Sequence, residues 1–443
     1  MDTPICDFVR RYAQSGALRC HMPGHKGQAL LGMEGLDITE ITGADSLYEA
    51  DGIIARSETN AGSLFVANTF YSTEGSSLCI RAMLHLAALH ARKAGKAPLI
   101  AAARNAHKVF LSAVALLDLE VRWLYPEKAD SYLSCKVSPQ DLEALLAREP
   151  ITAVYVTSPD YLGNVQDIRA LAEVCHRHGC LLLVDNAHGA YLKFLTQSRH
   201  PVDLGADMCC DSAHKTLPAL TGAAYLHISP AAPSQLAQQA KNAMALFGST
   251  SPSYLILQSL DAVNGYLADG YADALAAFVQ KMERLKESLA LHGYGLLGDE
   301  PLKLTLQTKS YGYTGTALAA LLEAQGVICE FCDPDHLVLM LTPQSGEEGL
   351  ERLETALKAI PARPPIEEKP PAFCRCEQVL SIREAVFSPC ETVPASRAVG
   401  RVLAAPSVGC PPAVPIVVCG ERIDEAAAAA FEYYGIQNCT VVK

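Results

Sequence analysis

Residues 211–227 read DSAHKTLPALTGAAYLH, a His-Lys pair set between an apolar run and a stretch of small residues. The preceding DMCC, 207–210, has the character of a buried strand, and GAAYLHI, 222–228, reads as another. A lysine at such a place is ordinarily a surface residue whose stem lies along apolar neighbours. Here Ser212 and His214 precede Lys215, Thr216 follows it, and the small residues beyond allow close approach by a ligand. A lysine in a pocket loses its proton more readily and then attacks a carbonyl to form a Schiff base.

From about residue 60 to residue 230 the same alternation continues. PLIAAA, VRWLY, AVYVTS and LLLVDNA read as buried strands. Between them, SSLCIRAMLHLAALHARKAG, HKVFLSAVALLD, SPQDLEALLAREP and DIRALAEVCHRHG carry apolar residues at helical spacing, with Ser, Asp, Pro or Gly at their ends. The pattern predicts an α/β fold with a large, mostly parallel sheet, whose chemistry sits at the carboxyl ends of the strands. A smaller α+β domain follows, with strands LKLTLQT and HLVLMLTP around the helix GTALAALLEAQG. The stretch PARPPIEEKPP, 361–371, is proline-rich and reads as an extended linker to a small C-terminal domain. The expected division is a segment 1–58, a cofactor-binding domain 59–275, a small domain 276–360, the linker 361–371 and a C-terminal domain 372–443.

Composition bounds the function. The chain has 443 residues, half of them hydrophobic and 19% charged, the balance of a folded protein of two or three domains. Its 36 basic and 48 acidic residues give a net charge of −12, which argues against nucleic acid or an anionic membrane as the main partner. The start MDTPICDFVRRYAQSG has no apolar signal core, and no stretch has the length of a membrane span, so a cytoplasmic protein is expected. The sixteen cysteines lie scattered in apolar segments and read as reduced thiols. Two clusters invite a metal test, Cys329 with Cys332 and Cys175, His176, His178 with Cys180. Neither has a second half at zinc spacing, and no metal is expected.

Polar residues at strand ends and helix starts supply the rest of a site. Asp185 ends LLLVDNAHGAY; an acid there either caps a loop or faces a pyridinium nitrogen, whose proton keeps the ring an electron sink. His188 stands three residues on, near the rim of the same pocket. In FYSTEGSSLCI, residues Ser72, Thr73, Gly75 and Ser76 open a helix, where free N–H groups and hydroxyls suit a phosphate dianion. His107, in RNAHKVF after LIAAA, is at the next strand-to-helix junction, where an imidazole either starts the helix or covers a flat ring. A lysine for an electrophile, an acid at another strand end, a hydroxyl-rich cup and a histidine together describe a pyridoxal-phosphate site.

These residues also carry a resemblance. The motifs HMPGHKG at 21, ITGADSLYEADG at 41, RNAHK at 104, DNAHGAY at 185, SAHKTLPALTGAAYLH at 212 and REAVFSPCETVPASRAVGRV at 383 resemble the Orn/Lys/Arg decarboxylase family of fold-type-I pyridoxal-phosphate enzymes, in the short form lacking an N-terminal wing domain. The resemblance implies that Lys215 holds the cofactor as a Schiff base, Asp185 pairs with the ring nitrogen and His107 stacks on the ring. It also implies that Ser72, Thr73 and Ser212 contact the phosphate, His214 is the histidine before the lysine, and His188 lies beside the cofactor. The implied reaction is α-decarboxylation of a basic amino acid, by a homodimer or higher oligomer with active sites near the subunit interface. An aminotransferase on the same fold and a non-catalytic relative are the alternatives. Three departures stand out: Tyr71 replaces a glycine before the phosphate hydroxyls and is expected to reshape the cup, Asn186 replaces an acid, and Ala413 replaces a glycine. The substrate's distal cation would need an acid or a ring of carbonyls, and Glu391 and Glu421 are the candidate acids.

Overall fold

Seven short strands carry the α/β part: β1 (Asn68–Ser72), β2 (Leu99–Ala103), β3 (Glu120–Leu124), β4 (Ala153–Thr157), β5 (Leu181–Asp185), β6 (Met208–Asp211) and β7 (Ala224–Ile228). The computed structural model describes residues 1–126, 131–406 and 413–443. The chain divides into two units, Met1–Ala97 with Leu181–Leu275, and Pro98–Cys180 with Ala276–Lys443.

In the first unit the strand order is β1-β7-β6-β5. β5 and β6 are parallel, with Asp185 opposite Cys210, and β7 runs against both β6 and β1. In the second unit β4-β2-β3 are all parallel. β2 and β5 are buried at every residue, as their unbroken apolar runs require of strands covered on both faces. The α/β class with a mostly parallel sheet is thus observed. The helix Gly75–Lys93 ends in Arg92 and Lys93, cations that complement its carbonyl end. Pro139–Leu146 and Ile168–Arg177 start on side-chain caps, Ser138 accepting from Asp141 N and Asp167 from Ala170 N.

The second unit continues with an antiparallel sheet of order β10-β11-β9-β8, made of β8 (Gly295–Leu297), β9 (Lys303–Gln307), β10 (Phe331–Cys332) and β11 (His336–Met340). The proline-rich stretch forms neither helix nor strand and lies along the turn before it, Arg363 N donating to Tyr311 O at 3.1 Å and Ile366 N to Lys309 O at 3.0 Å. Beyond it, β12 (Cys390–Pro394) pairs with β13 (Asn438–Val442). Tyr132 joins the core that these strands form with Leu403 and Phe431. Arg104 donates to the carbonyls of Pro415 and Ile416, each at 2.8 Å, so the C-terminal segment is built into this unit. The described cysteines are all free thiols, most of them buried, and among the described residues no helix is long and apolar enough to cross a membrane.

Val66, at the end of the helix Ile53–Phe65, adopts φ 55° and is 63% exposed. A β-branched residue in the left-handed region is strained, and glycine is the usual solution at a helix end. Val66→Gly is expected to raise stability by about 1 kcal/mol. The check is a higher urea midpoint at unchanged slope; a lower midpoint would show that the valine side chain contributes packing that outweighs its backbone strain.

Candidate active site

From the end of β1 the chain turns through Thr73, Glu74 and Gly75 into the helix Gly75–Lys93. Gly75 holds φ 68°, and its N–H donates to Gly222 O at 2.8 Å. Ser72 Oγ donates to Gly75 O at 2.9 Å and accepts from Glu74 N at 3.1 Å, so this hydroxyl closes the turn. Thr73 is buried beside it. A Cβ built on Gly75 would meet no atom within 4 Å. The space over the first helical turn is therefore open, and the N–H groups of that turn have no partner inside the helix. Ser212 Oγ donates to Ser76 Oγ at 2.9 Å, which brings a hydroxyl from beyond β6 to the same helix start. This donor set suits a phosphate.

Asp185 ends β5, buried, with Oδ1 accepting from Ala187 N at 3.2 Å and from Cys210 Sγ at 3.7 Å. After β6, Ser212 leads into a one-turn helix, Ala213–Thr216. Lys215 Nζ lies 2.8 Å from Nε2 of the buried His188. His214 Nδ1 is 2.9 Å from Ala223 O, so Nδ1 carries a proton and donates it. Burial pushes the His214 pKa down, the bond to Ala223 pulls it up, and the Lys215 charge pushes it down again. The net effect is a pKa below that of a free imidazole. Thr216 Oγ1 is buried with no hydrogen-bond partner among the described residues. An orphaned hydroxyl next to Lys215, open space over a helix N-terminus and a buried carboxylate fit a phosphorylated, carbonyl-bearing heterocycle such as pyridoxal phosphate.

The first unit thus carries Ser72, Thr73, Asp185, His188, Ser212, His214 and Lys215 on the ends of β1, β5 and β6. His107 belongs to the second unit, where it caps the helix Lys108–Leu117 and its Nδ1 accepts from Val109 N at 3.2 Å. Three further readings change. Tyr71 does not crowd the phosphate cup: strand alternation turns it to the opposite face from Ser72. Its hydroxyl donates to Ser57 O at 2.9 Å and accepts from Asn264 Nδ2 at 2.7 Å. Ala413 holds φ 57°, which explains why glycine suits that position. Glu391 is exposed and paired with Arg401 at 2.7 Å, while the buried Glu421 accepts from Val418 N at 2.7 Å and lies 3.5 Å from Arg104 Nη2. Burial raises the Glu421 pKa and Arg104 opposes it. Both acids therefore already have partners in the second unit.

Sequence reasoning missed the role of Asp211, whose carboxylate accepts from Asn186 Nδ2 at 2.6 Å. An acid breaking an apolar run one residue before Ser212 was the available signal. The described groups whose donor atoms converge as a metal site would require are His200, Cys209 with Asp211 and Asp333, Asp335 with His336. The cysteine clusters singled out by spacing are in neither group.

Comparison with known proteins agrees with this geometry. Residues 3–293 match the family model described as Orn/Lys/Arg decarboxylase, major domain, and residues 376–439 match the C-terminal domain of the same family. The chain is 29% identical to the uncharacterized protein YaaO of Bacillus subtilis (strain 168), over 96% of this chain and 92% of that one. It is 27% identical to an arginine decarboxylase of Halalkalibacterium halodurans, with the same coverage. The lysine decarboxylase LdcF of Francisella novicida superposes with a TM-score of 0.80 over 100% of this chain and 81% of that one, at 16% identity. At that identity the likeness speaks for the fold.

Glu421→Gln is expected to cost about 2 kcal/mol, because it leaves the buried Arg104 charge short of its counter-ion. A lower urea midpoint with unchanged KM is the expected result. A raised KM at unchanged stability would instead put Glu421 at the substrate.

Proposed function

Since the chain belongs to the Orn/Lys/Arg decarboxylase family, we propose that it removes the α-carboxylate of arginine, lysine or ornithine, releasing CO2 and agmatine or a diamine, with pyridoxal phosphate carried on Lys215. One observation carries this reading: Lys215 Nζ stands 2.8 Å from His188 Nε2, on a turn that begins with the Ser212 to Ser76 hydroxyl contact. The similar enzyme of Halalkalibacterium halodurans is named for arginine, which makes arginine the first substrate to test.

Ser76, Ser212, Thr73 and the first-turn N–H groups of the helix Gly75–Lys93 would hold the phosphate. Asp185, buried at the end of β5, would face the ring nitrogen and keep it protonated. Bound there, the cofactor supplies a ring that accepts the electron pair left behind when CO2 departs. His188 takes and returns the proton of Lys215 Nζ. Lys215 Nζ would be the group that returns a proton to Cα. His214 is less suited to that step, because burial lowers its pKa and its Nδ1–H is engaged by Ala223 O. The enzyme is proposed to be cytoplasmic and to work as a homodimer. Leu18, Leu30 and Leu31, which flank the HMPGHKG motif, are more than 80% exposed and supply apolar surface for such an interface.

The test begins with the purified protein reconstituted with pyridoxal phosphate and incubated separately with arginine, lysine and ornithine, the products being identified by mass. One of the three should release CO2 and yield the matching amine, and a keto acid product would overturn the proposal. Borohydride reduction should attach the cofactor to the peptide containing Lys215; attachment to a different lysine would reject the assignment. Asp185→Ala should fold yet lose decarboxylation by several orders of magnitude, and near wild-type turnover would make Asp185 structural.

A further inference from the structure

The carboxylate of Asp211 is fully buried and takes three polar contacts. Oδ1 accepts from Asn186 Nδ2 at 2.6 Å, and Oδ2 lies 3.0 Å from His200 Nε2 and 3.3 Å from His227 Nε2. His227 Nδ1 meets Thr69 Oγ1 at 2.9 Å, which fixes that imidazole in turn. Burial opposes a charge on Asp211, but the two imidazoles beside it hold its carboxyl well below the usual carboxylate range. Asp211 is therefore the acceptor of this contact, and the Asn186 amide is the donor.

Its position gives the contact a consequence. β5 and β6 pair in parallel with Asp185 opposite Cys210, and Asn186 N donates to Cys210 O at 3.0 Å. Asn186 and Asp211 thus form the next rung, beyond the last ladder pair. Because side chains alternate, Asp185 and Cys210 share one face of the strands, while Asn186 and Asp211 share the other. One member directly follows the acid of the site, and the other directly precedes the turn that carries Ser212 and Lys215.

We propose that the Asn186–Asp211 pair is a positioning clasp, locking the carboxyl ends of β5 and β6 so that Asp185 and Lys215 keep the separation the chemistry needs. The inference rests on the roles given to Lys215 and Asp185 above. Strand ends lack the flanking hydrogen bonds that hold strand centres, and a misplacement of about 1 Å at a reacting group costs about a hundredfold in rate. The pair is complementary as amide to carboxylate, not as two carboxylates. An acid at position 186 would put two carboxylates at hydrogen-bond distance, so the asparagine that departs from the family pattern is the residue that Asp211 demands. His200 and His227 hold Asp211 from behind and leave Oδ1 for the asparagine.

A charge swap tests the clasp. Asn186→Asp sets like charges against each other, Asp211→Asn removes the acceptor charge, and the double variant reverses donor and acceptor while keeping an oxygen toward His200. Each is measured for thermal midpoint without cofactor, for affinity by absorbance titration with pyridoxal phosphate, and for kcat and KM. Asn186→Asp is expected to lose about tenfold in cofactor affinity and about tenfold or more in kcat, with the double variant recovering most of both. Asn186→Ala, which removes the donor without adding charge, should fall between wild type and Asn186→Asp and serves if the charged variant does not fold. A double variant no better than the singles, or singles that lose thermal stability while keeping normal cofactor affinity and kcat, would overturn the clasp. Wild-type protein that takes up no pyridoxal phosphate would overturn the functional reading, and this inference with it.

Discussion

The parallel register of β5 with β6 is the constraint on which the rest of the site depends. With Asp185 opposite Cys210, the acid at the end of one strand lies beside the strand that leads to Lys215. The return of β7 antiparallel to β6 then brings Ala223 O to His214 and Gly222 O to the N–H of Gly75. That second contact ties the start of the helix Gly75–Lys93 to the lysine turn, and the Ser212 to Ser76 hydroxyl bond follows from it. A slip of one residue in the β5–β6 pair would turn every side chain of the slipped strand to the opposite face and separate the acid from the amine. The contact of Asn186 with Asp211, one rung beyond the last ladder pair, opposes that slip.

Much of this was legible in the chain itself. The buried strands announce themselves as apolar runs, and the helices between them by their periodicity and their caps. Asp185 and Lys215 stand out because a charged residue at the end of such a run needs a reason. What periodicity leaves open is direction. β7 is buried at every residue, as is β5, so nothing in its composition says that it runs antiparallel. β1 escaped notice because NTFYS mixes two aromatic residues with three polar ones, and its strand character comes from pairing with β7. Ser72 and Ser76 look equivalent as helix-start hydroxyls until the turn's own hydrogen bonds show that Ser72 closes it and Ser76 faces Ser212. Glu421 shows the same limit: nothing in CGERI announces its burial against Arg104, which is a matter of tertiary packing.

The pairing of β1 with β7 also has a consequence in time. Asn68 and Ile228 are bonded in this structure yet lie 160 residues apart in the chain. During synthesis β1 leaves the ribosome long before its partner exists, and at roughly 5–20 residues per second the wait is on the order of 8–30 s. Through that interval the first 97 residues of the unit hold an unpaired strand, and all of β2, β3 and β4 must be made before it can be matched. An unpaired strand edge invites pairing with other chains. The order in which this polypeptide is made therefore delays completion of the candidate site until β5, β6 and β7 have emerged.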